Sequence, residues 1–220
     1  MSYYYSNNSQ NGGFLSGVPR VTKNLLVINI LVFAATWLGE KVLGSDAMSS
    51  FVLYDPASHW FRIWQPITYM FMHGGFWHIL FNMYTLYVFG CVVERMIGEK
   101  KYLLFYLLSG LGAAALHIVI TRLSGGVSAP MVGASGAIYG VLIAYAMLFP
   151  DSHLTLIFPP VTLSAKWMVV IFAGIELFTG ITGTGEGIAH FAHLGGMLTG
   201  FLLIWWWKKQ GKLFDRENFS

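Results

Sequence analysis

Charge is scarce in this chain: lysine, arginine, aspartate and glutamate make up 10% of its 220 residues, against about 25% in an average soluble domain. A surface bathed in water over most of its area is thereby excluded. Cysteine is nearly absent, and with Cys91 alone no intramolecular disulfide can form and the redox compartment is undeclared. No H-E-x-x-H or equivalent spacing accompanies the histidines, which sets aside the usual zinc hydrolases. No basic stripe with interleaved aromatics argues for nucleic acid. Nor do the first residues combine a basic start, a short apolar core and a small-residue cleavage site, so no cleaved signal peptide is expected.

What is present is apolar: 55% of the residues are hydrophobic. A bilayer span needs about 20 mainly apolar residues, and six such runs can be placed near Leu25 to Val42, Trp77 to Val93, Tyr102 to Arg122, Met131 to Phe149, Leu163 to Gly180 and Ile188 to Trp207. The expected fold is an all-α, multi-pass membrane protein with one domain over residues 25–207. Residues 1–24 form a polar tail, its opening dozen or so expected to be disordered for want of apolar surface, and residues 208–220 a basic one. Lys and Arg are retained on the cytoplasmic side. With both termini inside, that side holds Arg20, Lys23, Arg95, Lys100, Lys101, Lys166, Lys208, Lys209, Lys212 and Arg216, leaving only Lys41, Arg62 and Arg122 outside. Trp205, Trp206 and Trp207, ahead of Lys208, suit an interfacial belt.

The longest connection, Gly44 to Pro66, carries Asp46, Asp55, His59, Trp60, Arg62 and Trp64, and its aromatics are expected at the bilayer interface. Gly180 to Gly187 forms a glycine-rich outer loop.

Polar residues inside spans cost free energy and usually face a cavity or a partner. His78 and Asn82 are four residues apart and share a helix face. Ser135 falls near the outer start of span four, and His190 and His193 in the outer part of span six, so His, Asn, Ser and His reach one depth. Each has a plainer reading. Serine can simply let helices approach, and Gly133, Gly136, Gly140, Gly196 and Gly200 can serve G-x-x-x-G packing. A single histidine can bond to a neighbouring helix.

Chemistry gives a reason to join them. A serine hydroxyl is a weak nucleophile until a base takes its proton, and neutral imidazole suits that task. His193 is the candidate base for Ser135, with activity expected to fall in acid as it is protonated. His78, Asn82 and the Ser135 amide can donate to the oxyanion. Glu176 in span five is read as close enough to the outer interface to reach water or loop backbone, and Asp46 and Asp55 have no spacing that commits them to His193. A dyad is therefore expected, its imidazole oriented by packing against Tyr139, one turn from Ser135.

At "HGGFWHILFN", "GASG" (Gly133 to Gly136) and "AHLGGMLTG", the sequence resembles the rhomboid family of intramembrane serine proteases, over roughly Leu25 to Trp207. The resemblance implies six helices, a short central fourth one and a water-filled cavity opening to the extracytoplasmic face. It implies Ser135 as nucleophile, His193 as general base and acid, and His78, Asn82 and the Ser135 amide as oxyanion hole. It further implies Gly133 shaping substrate approach, Tyr139 packing under His193, Gly196 and Gly200 seating span six on span four, and Glu94-Arg95 as a structural pair inside. Substrates would be transmembrane helices that unwind and are cut near the outer side, reached past span five with the glycine-rich loop as a cap. No metal or cofactor is implied.

One departure stands out: where the family's first loop often carries Trp-Arg, this chain has Trp64-Gln65. Loss of the guanidinium fork is expected to break that loop's usual hydrogen-bond network. Two competing readings remain. One is a metal or haem site among His73, His78, His117, His190 and His193, and the other is an inactive relative that binds membrane helices without cutting them.

Overall fold

A computed structural model describes residues 17–43, 49–127, 129–156, 160–183 and 189–214. Most of the amino-terminal tail, Asp46, residues 184–187 of the glycine-rich loop and Arg216 lie outside the described residues. The apolar runs are helical: α1 (Arg20–Leu43), a single turn α2 (Gln65–Thr68), α3 (Phe76–Thr85), α4 (Cys91–Ile97), α5 (Glu99–Leu123), α6 (Ser135–Leu148), α7 (Ala165–Thr182) and α8 (His190–Lys209). One π turn, Leu86–Gly90, joins α3 to α4 as a continuous rod, and Gly98, at φ 84°, breaks that rod from α5. Before α7, β1 (His153–Thr155) pairs antiparallel with β2 (Thr162–Ser164), Leu154 opposite Leu163.

Among the described residues, four segments are by length and composition apolar enough to cross a bilayer: Arg20–Val42, Phe76–Ile97, Glu99–Leu123 and Ala165–Thr182. All six runs read from the sequence are helical, and two of them, α6 and α8, fall outside that set. α6 has 14 residues, about 21 Å at 1.5 Å per residue, against a hydrocarbon core of about 30 Å. It stops short because residues 131–134 are not helical: Leu53 and Met131 exchange backbone hydrogen bonds of 3.0 and 2.8 Å, and Gly133 N–H donates to Tyr69 O (2.9 Å). α8 carries two histidines in its first turn and two lysines in its last, which lowers its hydropathy. The chain is nonetheless a mostly helical, multi-pass membrane protein. α1 and α7 expose Leu31, Trp37, Phe178 and Ile181, as lipid-facing helices do.

A helix as short as α6 is tolerable because protein encloses it. Gly136, Ala137, Gly140, Val141 and Ala144 are buried, with α5 and α8 packed along its sides. Small residues allow that approach. Gly196 lies so near Gly136 that any Cβ would overlap the Gly136 carbonyl, and a Cβ at Gly200 would stand 2.9 Å from Gly140 Cα.

Two carboxylates tie the periphery to this core. Glu94, 2% exposed, accepts from the Val21 and Thr22 amides (2.8 and 2.6 Å) and from Thr22 Oγ1 (2.7 Å), capping α1 at the end where free amides concentrate. Asp55 is paired bidentately with Arg122, whose Nε lies 2.9 Å from Oδ2, anchoring the first loop to the end of α5. In the same loop, the expected loss of hydrogen bonds at Gln65 does not occur. Its side chain is fully buried. Its Oε1 accepts from Tyr54 N–H (3.3 Å), and its Nε2 donates to Trp60 O (2.9 Å) and Ser50 O (3.3 Å). An amide with both donor and acceptor can knit loop backbone where a guanidinium could only donate.

Candidate active site

Ser135 is the first residue of α6, so its side chain stands at a helix start where amides lack intrahelical acceptors. His193, in the first turn of α8, places Nε2 2.9 Å from Ser135 Oγ. Tyr139, one turn along α6, stacks its ring on His193 at 4.2 Å between centroids and 8° between planes. An open cavity of about 980 Å³ reaches this pair, and its lining includes His78, Asn82, Gly133 and Phe172.

The donors on the opposite wall are distinctive for what they lack. Asn82 is 7% exposed, and its Nδ2 is buried without a hydrogen-bond partner among the described residues. Such an orphan normally costs about 1–3 kcal/mol. The amide of Gly74 donates to His78 Nδ1 (3.4 Å), leaving Nε2 to carry the ring proton. Gly133, at φ +126°, lies against that ring, and a Cβ there would stand 2.9 Å from His78 Nε2 and Cε1. Only glycine suits both the backbone conformation and the space.

The sequence reading of Glu176 is overturned. It does not reach for water or loop backbone. It is 7% exposed, and its Oε1 accepts from His193 Nδ1 (2.9 Å) and from the Tyr139 hydroxyl (2.5 Å). Its Oε2 lies 2.6 Å from His190 Nδ1. The signal was present: a lone carboxylate in an apolar span is functional by default, and two histidines three apart share one face of α8 and need an acceptor.

Of the other sequence candidates, Gly196 and Gly200 lie along the α6–α8 seam, below the site. His73 is buried, its ring edge-on to His78 at 5.2 Å, while both nitrogens of His117 are buried without partners among the described residues. Neither joins Glu176, His190 and His193, whose ligand-type atoms lie within 4.8 Å of one another.

Comparison with known proteins agrees with this architecture. Residues 61–210 match the Rhomboid domain. The chain is 35% identical to RHOMBOID-like protein 4 of Arabidopsis thaliana over 142 residues, 64% of this chain and 33% of that protein. It is 29% identical to the putative rhomboid protease YdcA of Bacillus subtilis (strain 168) over 202 residues, covering 86% of this chain and 89% of YdcA. Against the rhomboid protease GluP of the same bacterium it is 26% identical over 192 residues, 86% of this chain and 35% of GluP. The chain thus spans about a third of two of these relatives and nearly all of the third. With the domain matched over more than half its length, the chain belongs to the rhomboid family.

Proposed function

We propose that the protein is an intramembrane serine endopeptidase that hydrolyses peptide bonds of transmembrane helices. Residues 25–207 form the protease unit between cytoplasmic tails, in a cell membrane. The observation that carries this reading is the 2.9 Å contact between Ser135 Oγ and His193 Nε2, opposite a buried Asn82 Nδ2 that has no partner among the described residues.

Ser135 Oγ attacks the scissile carbonyl carbon while its proton passes to His193 Nε2. Negative charge develops on the carbonyl oxygen. His78 Nε2–H, Asn82 Nδ2–H and the Ser135 amide receive it, the last aided by the helix start. His193 then protonates the departing amine, leaving an acyl-enzyme on Ser135. Water entering through the open cavity attacks that ester with His193 again taking the proton, and as the C–Oγ bond breaks His193 returns that proton to Ser135 Oγ and the new carboxyl terminus leaves. Gly133 keeps the passage beside His78 clear of side chains for the substrate backbone.

The Lys and Arg distribution puts both termini inside, which places Ser135 and His193 beneath the outer rim and predicts cleavage near that side. An intact substrate helix hides its peptide bonds in its own hydrogen bonds. Glycine or other helix-weakening residues near the cut are therefore expected to raise the rate.

The test pairs a fluorophosphonate label with cleavage of a transmembrane substrate, for wild type, Ser135→Ala and His193→Ala. Wild type is expected to label and cut, and both variants to lose both. Cleavage surviving Ser135→Ala refutes the reading. A wild type that binds helices and neither labels nor cuts favours the inactive alternative.

A further inference from the structure

We propose that Glu176 is a positioning residue for the reaction, making the site a Ser135–His193–Glu176 relay in which a carboxylate from α7 orients and charges the base. The inference rests on the serine-protease reading above and deepens it.

An ionised carboxylate accepts hydrogen bonds and donates none. With Oε1 2.9 Å from His193 Nδ1, the ring proton must reside on Nδ1. That leaves the Nε2 lone pair facing Ser135 Oγ at 2.9 Å, the tautomer a general base requires. A ring held by stacking alone could present either nitrogen protonated. When the Ser135 proton arrives, the ring becomes a cation beside a fixed anion in a site largely shielded from water, so the transition state gains more than the ground state.

The carboxylate is itself held. The Tyr139 hydroxyl donates to Oε1 at 2.5 Å, and the same Tyr139 ring stacks on His193, so one side chain sets both the plane of the imidazole and the oxygen it meets. His190 Nδ1 takes Oε2 at 2.6 Å and approaches Thr179 Oγ1 at 3.0 Å. Three donors on two other helices converge on this carboxylate, one of them the base itself. Because Glu176 belongs to α7 and His193 to α8, orientation of the base depends on α7 remaining seated on α8.

The test measures kcat and KM on the full chain with a transmembrane substrate, alongside thermal unfolding. Glu176→Gln is close in size and removes the charge. It is expected to lower kcat at least about tenfold with KM within about twofold and the melting temperature near that of wild type. His190→Gln leaves the Glu176–His193 contact in place and is expected to lower kcat by less. Should Glu176→Gln fail to fold, Glu176→Asp, which keeps the charge but withdraws it by one methylene, carries the same expectation of reduced kcat at constant KM. A folded Glu176 variant that turns over at the wild-type kcat overturns the proposal. So does one that raises KM alone, since Glu176 would then shape only the approach of the substrate. Ser135→Ala in the same assay keeps the two readings apart: cleavage surviving there removes the protease reading, whereas the Glu176 outcome is scored against an active wild type and an inert Ser135→Ala.

Discussion

The two walls of the cavity are built on opposite terms. On the wall made by α6, α7 and α8, Ser135, His193, Glu176, Tyr139 and His190 form one connected chain of side-chain hydrogen bonds, with the far nitrogen of His190, Nε2, buried and without a partner among the described residues. On the wall made by α3, Asn82 Nδ2 is buried and unpaired among the described residues, and His78 offers an Nε2–H toward the space beside Gly133. A connected network around the base is rigid, and it fixes which nitrogen faces the serine before substrate arrives. An unsatisfied donor held in place is strained until an acceptor appears, so it binds developing charge without first giving up another partner. One wall stores geometry and the other stores unmet hydrogen-bonding capacity.

Substitutions on the two walls are expected to separate these terms. On the paired wall, His193→Ala removes the proposed proton acceptor itself. Loss of the base in a serine hydrolase costs about a million-fold in kcat, so turnover is expected to vanish and fluorophosphonate labelling with it, while the fold persists. Asn82→Ala comes next, with an expected loss of about a hundred- to a thousandfold in kcat and little change in KM. Its effect on stability should differ in kind from that of a paired residue. Removing a donor that has no partner releases its desolvation cost, so the melting temperature is expected to hold or rise slightly. A lower melting temperature with unimpaired kcat would make Asn82 a structural amide and erase the contrast between the walls.

The same contrast explains what the sequence made visible. The α3 wall needed only helix periodicity, because His78 and Asn82 at i and i+4 must share a face, and an orphan donor leaves no remote partner to find. The paired wall depends on which face α7 turns toward α8, and nothing local to "GIELF" decides that. Glu176 could be seen as an intramembrane carboxylate but not matched to His193. Gln65 failed as an expectation for a related reason: whether a loop closes around an amide or a guanidinium depends on backbone carbonyls of Ser50 and Trp60 that only the folded loop brings together. The shortness of α6, which the family resemblance implied, has a cause set at a distance, the pairing of Leu53 with Met131. The glycines of the α6–α8 seam, in contrast, were legible because close packing requires the same residue types wherever the partner helix lies.

A smaller effect probes the joint inside the paired wall. Tyr139→Phe retains the ring stacked on His193 and deletes the hydroxyl that donates to Glu176 Oε1. A hydrogen bond to a buried, ionised carboxylate contributes about 1.5–3 kcal/mol, which bounds the expected kcat loss at about tenfold to about a hundredfold. Tyr139→Leu deletes the stack as well and is expected to cost more. Equal losses in the two variants would assign the whole role of Tyr139 to its hydroxyl, and an unimpaired Tyr139→Phe would assign it to the ring.

The smallest expected effect is none, and it asks whether the paired wall is paired with itself. Glu176, His190 and His193 put their ligand-type atoms within 4.8 Å of one another, and two imidazoles with a carboxylate form a set that zinc accepts. Protons and a metal ion compete for the same lone pairs, however. A metal on His193 Nδ1 would displace the proton shared with Glu176 and leave the ring a positively charged neighbour in place of an anion, weakening Nε2 as a base. The hydrogen-bonded arrangement is therefore the one compatible with proton transfer from Ser135. Dialysis against EDTA is expected to leave kcat and KM unchanged, and elemental analysis of the active protein to find no stoichiometric metal. Activity that disappears with the chelator and returns with zinc would show that the three residues are held by an ion, and the matched wall would then be organised by a cation instead of by Glu176.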